Sequence, residues 1–186
     1  MPNYRRTDWA GGSFFFTLSL YDRRRAWLCE ELARWALREA ITTIRKNYPF
    51  TIDAWVLLPD HLHCLWTLPQ GDSDYGTRWR LIKSYVTKHI GPQLRLNKPL
   101  TLSRQQRQEG NLWQRRFWEH LIRDEEDFIR HVDYIHFNPV KHGLVTTVKE
   151  WPYSTFHRYV SAGIYSLEWG SDLKLDENHT NCGEPT

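Results

Sequence analysis

Two histidines stand on either side of one leucine in "WVLLPDHLHCLW" (residues 55–66). Side chains along a β-strand alternate between its faces. If a strand begins after the Pro59-Asp60 turn, His61 and His63 share one face, and Leu62 and Cys64 take the other. Imidazoles two residues apart on a strand lie about 7 Å from one another, and neutral imidazole is a common ligand of divalent ions. The pair can hold two corners of a metal site and needs a further ligand from another element. The plainer alternative is two surface histidines on a half-exposed sheet.

A source for that ligand lies in "DFIRHVDYIHFNPVKHG" (127–143). On a helix advancing about 100° per residue, Phe128, Val132 and Ile135 form an apolar stripe. Asp127, His131, Tyr134 and Asn138 fall together on one flank of it, and Glu126, Arg130 and Asp133 fall on the solvated side. Asn138 carries a carboxamide oxygen, a metal-ligand type, four residues after Tyr134. Taken alone, Tyr134 reads as a ring at the core edge with its hydroxyl in water. Packed against the histidine face of a sheet, the same flank completes the metal site.

The elements that must position these groups follow from periodicity. Residues 13–20, 50–58 and 61–68 read as strands, the last two as a hairpin. Residues 26–47 and 77–91 show helical spacing. Residues 113–123 read as a strand with Trp113, Arg115, Phe117, Glu119 and Leu121 on one face. Residues 124–138 read as a helix with acids in its first turn, ended by Pro139 and Gly143. Residues 93–112 read as a polar insertion, and 151–163 as a short appended element. The order strand, helix, strand, strand, helix, strand is the split βαβ, ferredoxin-like or RRM-like pattern. The expected fold class is therefore α+β: an antiparallel sheet with helices on one face and an additional C-terminal helix. One domain over residues 1–169 is expected, followed by a disordered polar tail at 170–186.

Composition narrows the partners. The chain has 186 residues, 40% hydrophobic and 15% aromatic, with ten tryptophans. Residues 1–123 carry 20 Lys and Arg against 11 Asp and Glu, whereas residues 124–186 carry 5 against 11. A basic body suits a polyanion. Arg5, Arg6, Arg78, Arg80, Lys83, Arg115 and Arg116, with His131, are candidate nucleic-acid contacts; ordinary solvated charge is the alternative for each. No apolar stretch is long enough to span a membrane, and the N-terminus lacks the apolar centre of a signal peptide. Cys29, Cys64 and Cys182 have neither zinc spacing nor a disulfide pattern, which suits a reducing cytoplasm.

Several segments in order resemble one family. "HLH" after a Pro-Asp turn resembles the HUH (His-hydrophobic-His) motif of single-strand DNA nucleases. "YRR…GG", "AWVLLPDHLHCLWTLP", "RWRLIKS", "LWQRRFWEHLIR", "HVDYIHFNPVKHG" and "WPYSTFHR" together resemble the REP-associated tyrosine transposases, across residues 4–169. The resemblance implies His61 and His63 as metal ligands and Tyr134 as the nucleophile. In related insertion-sequence enzymes a glutamine four residues after the tyrosine completes the metal site; Asn138 stands at that spacing here. The implied reaction is cleavage and rejoining of single-stranded DNA at REP hairpins preceded by a GTAG-type tetranucleotide. It runs through a 5′-phosphotyrosine, with magnesium or manganese as cofactor. A monomer in the bacterial cytoplasm, associated with the nucleoid, is expected.

Two other classes fit parts of the sequence. A non-catalytic RRM-like module would bind single-stranded nucleic acid through sheet aromatics but would leave the histidine pair idle. A metal-dependent hydrolase would use water, with Tyr134 incidental. A covalent protein–DNA adduct separates the transposase from both.

Overall fold

The computed structural model describes residues 9–93, 110 and 112–171. Arg5, Arg6, nearly all of the 93–112 segment and the tail from 172 lie outside them.

Four strands, β1 (Ser13–Ser19), β2 (Thr51–Leu57), β3 (His61–Thr67) and β4 (Trp118–Leu121), form one antiparallel sheet in the order β2-β3-β1-β4. Helices α1 (Glu31–Arg45) and α2 (Tyr75–Ile90) pack on one face; α3 (Glu125–Lys141) crosses the other. A short α4 (Phe156–Ser161) follows. This is the α+β, ferredoxin-like architecture read from the element order.

Strand alternation divides the core in two. Phe14, Phe16, Leu18, Leu62, Cys64 and Trp66 point toward α1 and α2, where Trp66 stacks on Trp79 with ring centroids 4.0 Å apart. Phe15, Val56 and Leu65 point the other way, against Val132, Tyr134 and Ile135 of α3. The phase of β2 is set by a bulge between Ile52 and Ala54. One extra residue turns Ala54 and Val56 toward α3 while Ile52 stays with the first layer.

Three elements differ from the sequence expectation. The strand at 113–123 shrinks to Trp118–Leu121, with Trp113 making only an isolated bridge to Leu20. The carbonyls of Gln114 and Arg115 accept from Lys83 Nζ of α2 at 2.7 and 3.4 Å, so a side chain holds this stretch beside that short backbone bridge. Helix α1 begins at Glu31, because the chain before it bonds to the β2–β3 turn, Leu28 N–H donating to the Pro59 carbonyl. Helix α3 runs past Pro139 to Lys141. Proline lacks one donor, which costs little this close to the helix end. The helix stops at Gly143, which adopts the left-handed φ of 64° and donates its N–H to the Val140 carbonyl.

Candidate active site

The two-residue turn Pro59-Asp60 starts β3 at His61, and the register does the rest. His63 sits between Thr17 of β1 and Val56 of β2, and His61 lies opposite Ser19. Both imidazoles are buried on the α3 face, their ring centroids 4.9 Å apart. Asp60 Oδ1 lies 2.6 Å from His61 Nδ1. A carboxylate only accepts, so Nδ1 donates to Asp60 and Nε2 is the ring nitrogen left to take a metal ion. Asp60 is itself held by Arg23, whose Nε donates at 2.6 Å. Partial burial works against the Asp60 charge, but the hydrogen bonds and charges of His61 and Arg23 outweigh it and hold the carboxyl well below its ordinary range. His63 Nδ1 shares a 2.8 Å hydrogen bond with Thr17 Oγ1. Burial, aided by the positive groups of His61, His142, Lys141 and Arg23, pushes His63 well below the usual imidazole range, so the ring is neutral.

Helix α3 supplies the other half. Tyr134 is buried with its ring 5.4 Å from His63 and 5.9 Å from Phe15. Lys141, two turns on, donates to the Tyr134 hydroxyl at 3.1 Å, with its ammonium 4.6 Å from the ring centre. The His142 ring lies 5.0 Å from that of His61. Asn138 is fully buried, and neither atom of its carboxamide has a hydrogen-bond partner among the described residues; the same is true of His61 Nε2. Orphaned polar atoms cost free energy when buried. Two imidazoles and an amide oxygen are a fitting donor set for a divalent ion, which would satisfy His61 Nε2 and Asn138 Oδ1.

The helical wheel placed the buried stripe incorrectly. The face of α3 turned to the protein comprises Asp127, His131, Tyr134 and Asn138 along with Val132 and Ile135, while Phe128 is only half-buried. Tyr134 is thus a core ring as well as a candidate site residue. An apolarity count misplaces the stripe because the sheet face beneath α3 is mixed, bearing Thr17, His63 and His120 beside the apolar Phe15, Val56 and Leu65.

The candidate nucleic-acid contacts scatter. Arg78 is 1% exposed and spends its guanidinium on Asp72 (2.6 Å) and on the carbonyls of Asp74 and Pro49, so it is a structural clamp and not a phosphate contact. His131 is also buried, its Nδ1 donating to the Asp127 carbonyl at 2.8 Å, which removes it from the DNA-facing set. Arg80 is exposed on α2, which packs on the opposite sheet face from the histidines. Lys83 secures the 114–115 loop. Arg115 and Arg116 are exposed on that loop, where Gln114 N–H bonds the carbonyl of Ser19, the register partner of His61.

Sequence reasoning passed over Arg23, Thr17, Asp60, Lys141 and His142. Ending the helix at Pro139 hid Lys141, which lies seven residues, two turns, after Tyr134. In the sequence Asp60 reads as a turn residue, although it stands directly before His61.

No protein-family model matches the chain. A REP-associated tyrosine transposase of Escherichia coli K12 is 45% identical over 173 residues, spanning 93% of this chain and 93% of that protein. A Haemophilus influenzae protein given the same family name is 46% identical over 178 residues, spanning 94% and 98%. The solved structure of a REP-associated tyrosine transposase bound to a REP hairpin superposes with a TM-score of 0.78, at 45% identity and 94% coverage of each chain. With relatives this similar along nearly their whole length, the chain belongs to the REP-associated tyrosine transposases.

Proposed function

We propose that this transposase cleaves and rejoins single-stranded DNA at REP-type hairpins, with Tyr134 as nucleophile. The observation that carries this reading is the packing of one buried tyrosine, 5.4 Å from His63, under the ammonium of Lys141. The hairpin bound by the solved relative supports the same substrate class here.

The Tyr134 oxygen attacks the phosphorus of a strand lying over the histidine face. A bond forms between that oxygen and phosphorus, the bond to the 3′-oxygen breaks, and the departing oxygen takes a proton. The phenolic proton goes to solvent. The products are a 5′-phosphotyrosine and a 3′-hydroxyl, and the phosphotyrosine retains the ester energy for rejoining. Lys141 Nζ is placed to balance negative charge on the tyrosine oxygen as it enters or leaves. His61 Nε2, His63 Nε2 and the Asn138 oxygen would hold magnesium or manganese, which when bound polarises a phosphate oxygen. Asp60 and Thr17 fix the imidazole rings. Arg115, Arg116 and Arg23, at the His61 end of the sheet, are the proposed phosphate contacts, with Arg5 and Arg6 added from the sequence. A GTAG-type tetranucleotide beside the hairpin, a monomeric protein and a nucleoid location complete the proposal. Among the described residues no helix is long and apolar enough to cross a membrane.

Incubation with a 3′-labelled hairpin strand and magnesium, followed by denaturing electrophoresis, tests it. The expected result is a labelled protein–DNA adduct that protease digests. A free 5′-phosphate end with no adduct would instead indicate hydrolysis by water, and an uncut strand would indicate a binding module.

A further inference from the structure

We infer that His120, Asp127 and His131 form a second metal site, of the zinc class, that ties β4 to the first half of α3. One ligand atom from each of the three lies within 4.8 Å of the others. The residues come from two elements. His120 pairs with Phe15 in the β1–β4 ladder and so faces α3, where Asp127 and His131 sit one turn apart. Asp127 and His131 are 2% and 3% exposed, whereas the His120 side chain is about a quarter exposed.

The hydrogen bonds of Asp127 fall unevenly on its two oxygens. Its Oδ2 takes three donors: His120 Nε2 at 2.8 Å, the Arg123 backbone N–H at 3.1 Å and Arg123 Nε at 3.4 Å. Among the described residues its Oδ1 is buried with no hydrogen bond, 3.2 Å from His131 Nδ1. The Nε2 of His131 is likewise buried without a hydrogen-bond partner among the described residues. A carboxylate that crowds three donors onto one oxygen and buries the other bare is costly unless something positive reaches the bare oxygen. Two imidazoles and one carboxylate form a donor set suited to zinc, with positions left for water. The His120 and His131 rings are nearly parallel, at 17° with centroids 4.6 Å apart, so a shared ion requires one ring to turn. His120, with its edge at the surface, has that freedom, and the ion would replace the proton it now shares with Asp127.

The site is separate from the histidine pair. Phe15 stands between them, its ring 4.9 Å from His131 and 5.6 Å from His63. An ion here would fasten the helix that carries Tyr134 to the four-residue edge strand, one turn before the tyrosine. The inference does not depend on the proposed nuclease reaction.

The test uses the full chain with His61→Ala and His63→Ala, which removes the first pair. After chelation, the protein is dialysed against zinc ions and bound metal is counted by mass spectrometry, with the unfolding temperature followed in parallel. One zinc equivalent and a zinc-dependent rise in unfolding temperature are expected. Both should vanish when His120→Ala is added, and again with Asp127→Asn in place of it; circular dichroism verifies that each variant is folded. His120 is the primary probe because its partial exposure makes truncation tolerable. If the background protein binds no zinc, or if folded His120→Ala still binds one equivalent, the site does not exist.

Discussion

Lys141 Nζ donates a 3.1 Å hydrogen bond to the hydroxyl of Tyr134, and both lie on α3, seven residues apart. Two helical turns place them on one side of the helix. The same ammonium lies 4.6 Å from the ring centre. A fixed positive charge beside an oxygen that gains negative charge lowers the barrier for the step in which the charge develops. Lys141→Met keeps the length of the side chain and removes the charge. It should slow single-turnover adduct formation by about 10²-fold, the scale seen for removal of one preorganised donor. Hairpin affinity should change far less. An unchanged adduct rate would reduce Lys141 to a packing residue.

Tyr134→Phe should fold. The tyrosine ring packs with Phe15, Val132 and Ile135, and phenylalanine keeps all of that. The bond from Lys141 is lost, and with a charged donor that costs about 1.5–3 kcal/mol. Covalent adduct should disappear, because no oxygen remains to attack phosphorus. Tyr134→Ala would be a poorer test: emptying a buried aromatic position costs about 3–5 kcal/mol and confounds folding with chemistry.

The fold was legible because local signals agreed with it. The Pro59-Asp60 turn, the alternation in 61–67 and the helical spacing of 77–91 each specify an element without help from the rest of the chain. The site was half legible for a physical reason. His61 and His63 announce themselves by period two. Asn138 and Tyr134 share a helix face, but which face is buried depends on what it meets. The sheet surface under α3 carries polar groups beside its apolar ones, so His131 and Asp127 turn inward where a hydrophobicity pattern places them at the side. Arg78 shows the converse: a sequence cluster of arginines says nothing about which of them the fold consumes. The bulge at Asp53 and the role of Lys83 in holding residues 114–115 are long-range features that no local pattern encodes.

Acid should destabilise this protein well before its carboxylates titrate. His136 is fully buried, its Nε2 bonded to Thr155 Oγ1 at 2.9 Å, among the rings of Phe156, Tyr159 and Tyr165. Burial, with the charges of Arg158 and His157, lowers its pKa from 6.5 to about 3. The unfolded chain therefore accepts a proton near pH 6.5 that the folded chain refuses until about 3. The stability associated with neutral His136 is whole above 6.5 and drains away as pH falls toward 3, by at most about 1.4 kcal/mol per unit. His63 and His131 are shifted in the same direction. Denaturant unfolding of His136→Gln between pH 7 and 4 should show a shallower pH dependence than the parent. Parallel curves would mean that His136 protonates in the native state without cost.

Asp60 and Asn138 should separate the holding of an ion from the orientation of its ligand. Asp60 Oδ1 accepts from His61 Nδ1 at 2.6 Å, which leaves Nε2, buried and without a hydrogen-bond partner among the described residues, to face an ion. Asp60→Asn replaces a charged acceptor with a neutral amide that can present either end to the ring. The imidazole becomes less basic, and its tautomer is no longer fixed. Loss of such a partner weakens metal affinity by about 10–100-fold in known sites. Manganese titration followed by calorimetry should show that loss in Asp60→Asn, and adduct formation should recover at high manganese. Asn138→Ala should also recover with excess metal, but only in part, since one ligand is gone for good. His61→Ala and His63→Ala should abolish cleavage at any manganese concentration while the hairpin still binds. Should Asp60→Asn bind manganese as tightly as the parent, the aspartate serves only to tie the turn to Arg23, and the orientation of His61 has another source.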